Sequence, residues 1–180
     1  WGAREKGGRG KKANTRGGGR GKTKWRAEGA TGRTARMNAP AKKTANADGT
    51  TTWTVEMGAN TAHAAVLAVG PVKADIKAGD KVVFINNSHD PHTASFAGTK
   101  TLPANPESAE AMAPVPGPSP QKLNSTDLFS SGWLPPNVPP GAGPPEAARS
   151  FTYVVPAAGT YSYVCLLHAP SGMGGTIKAT

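Results

Sequence analysis

Tyr161-Ser-Tyr-Val-Cys165-Leu-Leu-His168-Ala-Pro-Ser-Gly-Met173-Gly-Gly-Thr-Ile-Lys-Ala-Thr180 closes the chain, and its reading decides the fold. In its first part Tyr161, Tyr163 and Cys165 fall on one face by the two-residue period of a strand. A short loop containing proline and glycine follows. Gly174-Gly175 then leads into Thr176–Thr180, which reads as a closing strand. The loop opens on the only cysteine in 180 residues, with a histidine three positions on and a methionine five beyond that.

The same texture extends upstream. Ser150-Phe-Thr-Tyr-Val-Val155 sets Phe151, Tyr153 and Val155 on one face, and Pro156-Ala-Ala-Gly159 turns the chain into Tyr161. Val72–Ile76 runs through Lys77-Ala-Gly-Asp80, whose Gly-Asp pair marks a turn, into Lys81-Val-Val-Phe-Ile-Asn86. Thr51–Met57 alternates as well. No segment shows a sustained helical period with caps. The pattern predicts an all-β sandwich. Between Phe96 and Arg149 lie twelve of the seventeen prolines. A loop this long belongs to a functional or covering segment; here a Pro-stiffened cover over one end of the sandwich is expected. Glu107–Ala113 fits a short helical turn, and Phe129-Ser-Ser-Gly-Trp-Leu134 is the apolar cluster expected to dock on the sandwich.

The formal charge of +10 is unevenly held. Residues 1–45 carry fourteen Lys/Arg against two Glu, a net of +12, whereas residues 46–180 carry seven Lys/Arg against nine Asp/Glu, a net of −2. With little apolar to bury and much glycine, residues 1–48 are expected to be a disordered basic tail, and residues 49–180 the folded domain. Such a tail binds polyanions through charge alone, without sequence specificity; a solvated leader is the plainer reading. The first 45 residues lack the apolar core of a secretory signal, the first residue is Trp1, and no apolar run approaches the ~20 residues of a membrane helix.

A single cysteine makes no internal disulfide, and by itself Cys165 reads as a buried, inert thiol. Its neighbours change that reading. A thiolate, an imidazole and a thioether on one short loop are ligand types of a blue-copper site, which requires one more histidine. His92, in Asn86-Asn-Ser-His89-Asp-Pro-His92-Thr-Ala-Ser-Phe96, is favoured over His89 because proline precedes it and a strand-like run follows. His89 reads as a loop residue and His63, in Asn60-Thr-Ala-His-Ala-Ala, as structural or solvent-facing. Asn86 and Asn87 either steady the ligand loop or serve an ordinary turn.

These residues resemble the closing signature of the cupredoxins, and among them the plastocyanin-like small blue copper proteins. That signature runs from a Gly-Thr-Tyr turn and strand through Cys, two residues, His, four residues, Met and Gly to a final strand. Gly159-Thr-Tyr-Ser-Tyr-Val-Cys165-Leu-Leu-His168-Ala-Pro-Ser-Gly-Met173-Gly-Gly-Thr-Ile matches it without interruption. Val82-Val-Phe-Ile-Asn-Asn-Ser-His-Asp-Pro-His92-Thr matches the upstream strand and Pro-His element. The resemblance spans roughly residues 50–180, weakly across 97–147. It implies a Greek-key sandwich with a long Pro-rich insertion and one type 1 copper per chain. His92, Cys165 and His168 would be ligands and Met173 the long axial one. It further implies an electron port at His168, with Leu166, Leu167, Ala169 and Pro170 around it, transient redox partners, and a location outside the cytoplasm. Thr93 stands where relatives often have Asn, and its hydroxyl is expected to take over hydrogen bonding near the cysteine, with consequences for the reduction potential.

Other functions fit less well. Four histidines with no His-x-His pair exclude a multicopper oxidase cluster for this chain alone, and one cysteine excludes a centre bridged by two. A cysteine hydrolase would need an orienting group that is not evident. Electron transfer without catalysis is the leading expectation. Copper storage or delivery through the same ligands is the alternative, and nucleic-acid binding rests on the basic tail only.

Overall fold

The computed structural model describes residues 17–138 and 142–180. Eleven strands form two sheets: β1 Lys42–Ala45, β2 Thr51–Asn60, β3 Ala65–Gly70, β4 Lys73–Ile76, β5 Lys81–Asn86, β6 Ser95–Phe96, β7 Gln121–Lys122, β8 Phe129–Ser130, β9 Ser150–Val154, β10 Gly159–Val164 and β11 Gly174–Ala179. One sheet runs β1-β2-β5-β9-β7, with β3 paired to β2 beyond β1, and the other runs β4-β11-β10-β6-β8. β2 and β5 are parallel, as are β4 and β11, while β5–β9 and β10–β11 are antiparallel. The two sheets enclose one core, the β-sandwich that the sequence leads one to expect.

Alternation explains how the sheets face one another. In β5, Val82, Phe84 and Asn86 are buried while Lys81, Val83 and Ile85 are half-buried. Phe151 and Tyr153 of β9 and Tyr161 and Tyr163 of β10 point into the same core. Phe84 meets Phe96, Tyr153 and Tyr163 edge-on, with ring centroids 4.8–6.0 Å apart. Each such fully buried ring contributes about 1.5–3 kcal/mol of transfer free energy. The Tyr153 hydroxyl, deep in this core, donates to Ala94 O at 2.8 Å and so avoids an unpaired polar group.

The N-terminal region departs from expectation. The disorder expected over residues 1–48 does not hold from Gly17 onward: α1, Gly17–Met37, lies against β3, and β1 pairs with β2. The expected disorder of residues 1–16 lies outside the described residues. The described part of this helix buries few apolar side chains, so no apolar stripe marks it in the sequence. Its inner face carries Glu28, Gly29, Gly32, Arg33 and Arg36, which are half-buried. A Cβ on Gly32 would come within 2.8 Å of Val66 Cγ2, so glycine permits the close backbone approach. Polar anchors do the rest: Glu28 to His63 (3.0 Å), Arg33 to Leu67 O (2.6 Å), and Arg36 to Glu56, which also receives Lys42.

The long segment between β6 and β9 covers one end of the sandwich and is more structured than expected. It contains β7, β8 and a helical turn, α2 Ala109–Met112, and it buries Ala111, Leu123, Phe129 and Leu134. Trp133 of the expected apolar cluster stays partly exposed, its Nε1 donating to Pro106 O. No described helix is long and apolar enough to cross a membrane.

Candidate metal centre

Three elements converge at one end of the sandwich. Cys165 follows directly on β10, so the strand fixes its position. His168 lies in a 3-10 turn, Leu166–Ser171, which kinks at His168 (φ −126°, ψ 17°), and Met173 immediately precedes β11. The short loop is tied across its base. Cys165 N–H donates to Met173 O (2.9 Å), and Met173 N–H donates to His168 O (3.3 Å). Gly172 sits in the left-handed region (φ +71°), a conformation glycine adopts without strain, and its N–H donates to Ala169 O. His92 arrives from the other side, exchanging backbone hydrogen bonds with Leu134 at 3.2 and 2.7 Å.

The result is a small triangle of donor atoms. His92 Nδ1 and His168 Nδ1 are 3.1 Å apart, and Cys165 Sγ lies 3.6 and 3.5 Å from them. A point equidistant from the three atoms is about 2.0 Å from each, close to ordinary metal–imidazole lengths of about 2.0–2.1 Å and somewhat inside a metal–thiolate length of about 2.3 Å. The triangle therefore fits one first-row transition metal ion. Among the described residues it is the one group of three or more His, Cys, Asp or Glu side chains spaced to hold a metal. His92 and Cys165 are fully buried, Met173 is 1% exposed, and His168 alone is half-exposed.

A chain of hydrogen bonds sets the His92 tautomer. The Asn86 amide nitrogen faces three carbonyls, Asp90 O (2.7 Å), Leu134 O (3.0 Å) and Pro135 O (3.0 Å). Its Oδ1 must then accept, and it receives Ser88 N–H (2.8 Å) and stands 3.0 Å from Ser88 Oγ. With its proton directed to Asn86 Oδ1 or to Asp90 O (3.1 Å), Ser88 Oγ accepts from His92 Nε2–H at 2.7 Å. The free lone pair is left on Nδ1, facing the triangle. Asn86 thus steadies the ligand loop and is no ordinary turn residue. Asn87 braces it from outside through Arg149, whose guanidinium donates to Asn87 Oδ1 (2.7 Å) and to Asn86 O.

Electrostatics keep the apoprotein's donors uncharged. Burial, with the neighbouring His168 ring adding to it, pushes His92 down to about 3. Burial also lowers His168, against a smaller opposing pull from Asp90. Burial raises the Cys165 thiol, although Thr93 N–H donates to Sγ at 3.4 Å. Two imidazoles whose burial disfavours protonation and one thiol that must lose a proton are what a soft cation meets.

The Thr93 hydroxyl accepts from Leu166 N–H (2.8 Å) and Ser95 Oγ (3.1 Å), so it pins the residue after the cysteine while the Thr93 backbone reaches the sulfur. Of the expected port residues, Ala169 and Pro170 are exposed and Leu167 is half-buried against the core, but Leu166 is buried. Leu166 is thus no part of the exposed patch; its N–H is held by the buried Thr93 hydroxyl. His89 stands on an exposed loop, its N–H donating to Asn60 Oδ1 (3.3 Å). His63 lies at the surface against Glu28 and the Trp25 ring.

Gly58 is the residue that sequence reading missed. It sits at a register break in β2 with φ +67°, and a Cβ there would run into His92 Nε2 and Ser88 Oγ. A lone glycine inside an otherwise β-like run, Thr51–Asn60, is the available signal for such a bulge or close approach.

No protein-family model matches the chain. Solved structures similar to it include auracyanin B, at 20% identity over 72% of this chain and 88% of that one with a TM-score of 0.44. Plastocyanin from Dryopteris crassirhizoma is 21% identical over 71% and 99%, with a TM-score of 0.42. A purple cupredoxin from Nitrosopumilus maritimus is 16% identical over 71% and 98%, also at 0.42.

Proposed function

We propose that this protein is a mononuclear type 1 (blue), plastocyanin-like copper protein that carries single electrons between redox partners. His92, Cys165, His168 and Met173 are its copper ligands. The observation that carries the proposal is the triangle of two Nδ1 atoms and one Sγ, 3.1–3.6 Å on a side, on a loop that also holds a buried methionine. Two imidazoles, a thiolate and a thioether match copper better than zinc, whose structural sites use Cys and His without methionine. A copper ion bound there would supply one-electron chemistry by passing between Cu(II) and Cu(I).

The chain's own residues do the rest. Asn86 and Ser88 hold the His92 lone pair toward the site, and the buried Cys165 gives up its thiol proton on metal entry. The Cys165–Met173 and Met173–His168 backbone bonds fix the loop before any metal binds, so little rearrangement accompanies a change of charge. Water is kept from all but the His168 edge. There Ala169, Pro170 and the half-buried Leu167 offer a small apolar face, suited to the limited interfaces of transient redox encounters. The activity is electron carriage and not catalysis, in a compartment outside the cytoplasm.

The test is a visible spectrum after one equivalent of Cu(II), followed by ascorbate and reoxidation. An intense band near ~600 nm that bleaches and returns is the expected result for copper–thiolate charge transfer. Tight Cu(I) binding without that band would favour storage or delivery through the same ligands.

A further inference from the structure

Helix α1 reaches the ligand loop through one side chain. We propose that Arg33 is a positioning residue for Met173, making the N-terminal helix a working part of the metal centre; this rests on the copper reading above. Arg33 Nη1 donates to Leu67 O of β3 at 2.6 Å, and Nη2 donates to Gly172 O at 3.3 Å. The second bond matters because of which peptide it grips. The unit joining Gly172 to Met173 is held at both ends: its carbonyl accepts from Arg33, and its N–H donates to His168 O at 3.3 Å. That plane directly precedes the Met173 Cα, so its orientation sets where the side chain starts.

Gly172 would otherwise be the soft point of this loop. It lies at φ +71° and has no side chain to restrict it, and glycine has the widest choice of alternative conformations. Arg33 is well placed to remove that freedom. Its guanidinium is a planar fork that engages two acceptors with little further entropy loss. It stands between two other anchors on the same helix face, Glu28 against His63 and Arg36 against Glu56, while Gly32 brings the helix close to Val66. The permanent positive charge on Arg33, beside the loop, also disfavours the more positive oxidised state of a bound ion and so raises the reduction potential.

The test compares the full chain with R33M and R33K. In the metal-free proteins, amide hydrogen exchange is followed at Gly172 and Met173, with Phe84 and Tyr153 in the core as internal controls. R33M is expected to speed exchange at the two loop amides about tenfold or more, leaving the core amides unchanged. In the copper-loaded proteins, R33M is expected to keep the intense visible band, lower the reduction potential, and alter the copper EPR pattern through the axial ligand. R33K keeps the charge without the fork, so it should recover the potential in part but not the exchange protection. Unchanged loop exchange together with an unchanged potential in R33M overturns the proposal. A wild-type chain that never develops the thiolate band sinks the copper reading instead. The exchange comparison then decides alone whether Arg33 holds Met173: faster loop exchange in R33M upholds it and equal exchange overturns it.

Discussion

Ser88 Oγ lies 2.7 Å from Nε2 of His92, while Nδ1 of the same ring faces Cys165. The serine therefore orients one side chain of the candidate metal centre without facing the His/Cys/His triangle itself. Ser88→Ala removes the acceptor that fixes the ring's tautomer and angle. The expected result is a loss of Cu(II) affinity of about tenfold to a hundredfold with the fold retained, measured by competition with a chelator of known affinity. Affinity equal to wild type would mean that Gly58 and the backbone alone orient the ring.

Gly58 has its own prediction. Alanine at φ +67° is strained, and its methyl would displace His92 and Ser88. Gly58→Ala should cost about 2 kcal/mol or more in urea unfolding and should also weaken copper binding. Gly49, at φ +80° but with nothing near its missing Cβ, is the control. Gly49→Ala should cost only the backbone term, about 1–2 kcal/mol, and leave metal affinity untouched.

The metal-free protein should lose stability in mild acid. His92 in the folded state is depressed to about 3, from 6.5 for an unperturbed ring. The unfolded chain consequently takes up a proton below about pH 6.5 that the folded chain refuses until about pH 3. The contribution is fully present above the unfolded value and fades as pH falls toward the folded one. Its slope is about 1.4 kcal/mol per pH unit. Urea titrations of apoprotein at pH 7, 5.5 and 4.5 measure it, and His92→Gln should flatten the profile by one proton's worth. Copper should oppose the loss by binding only the folded state.

Asp80 anchors the opposite end of the first sheet. Burial pushes its carboxyl up. The Thr51, Trp53 and Lys77 N–H donors at 2.8, 2.9 and 3.1 Å, with the Lys77 charge, outweigh that and hold it below the ordinary carboxylate value. Asp80→Ala strands those donors and should cost about 2–3 kcal/mol. Because the site is at the other end, the visible spectrum of the loaded variant should match wild type, and a changed spectrum would contradict this separation.

Much of this molecule is legible before its structure, and the exceptions share a cause. The Cys165–Met173 spacing and the Tyr161/Tyr163/Cys165 alternation are local, so a linear reading captures the loop and the strand that feeds it. His92 was separable from His89 because Pro91 and the following Thr-Ala-Ser-Phe are local signals too. Gly58 approaches His92 from 34 residues away along the chain and Arg33 bonds Gly172 from 139, distances at which residue type alone says nothing about contact. Helix α1 was unreadable for another reason. Its inner face relies on glycines and charged side chains that fit particular carbonyls and carboxylates, whereas pattern reading looks for apolar stripes. Leu166, expected at the surface, is buried, and its N–H is bonded to Thr93, 73 residues away along the chain.

The pairing of β6 with β8 sets Ser95 opposite Ser130 and Phe96 opposite Phe129. The Pro-rich excursion thus leaves and rejoins this sheet at one neck, while β7 ties its middle to β9 of the other. His92 lies just before the neck and its backbone partner Leu134 just after it, so the ligand frame is closed before the excursion begins. Within residues 97–128, Val115 exchanges backbone hydrogen bonds with Ser130 at 2.9 Å and Met112 O accepts from Trp133 N–H at 3.1 Å, so the excursion braces the strand and turn that lead to Leu134. Length changes in that stretch belong away from Met112, Val115, Leu123 and β7, which hold it to β8 and β9.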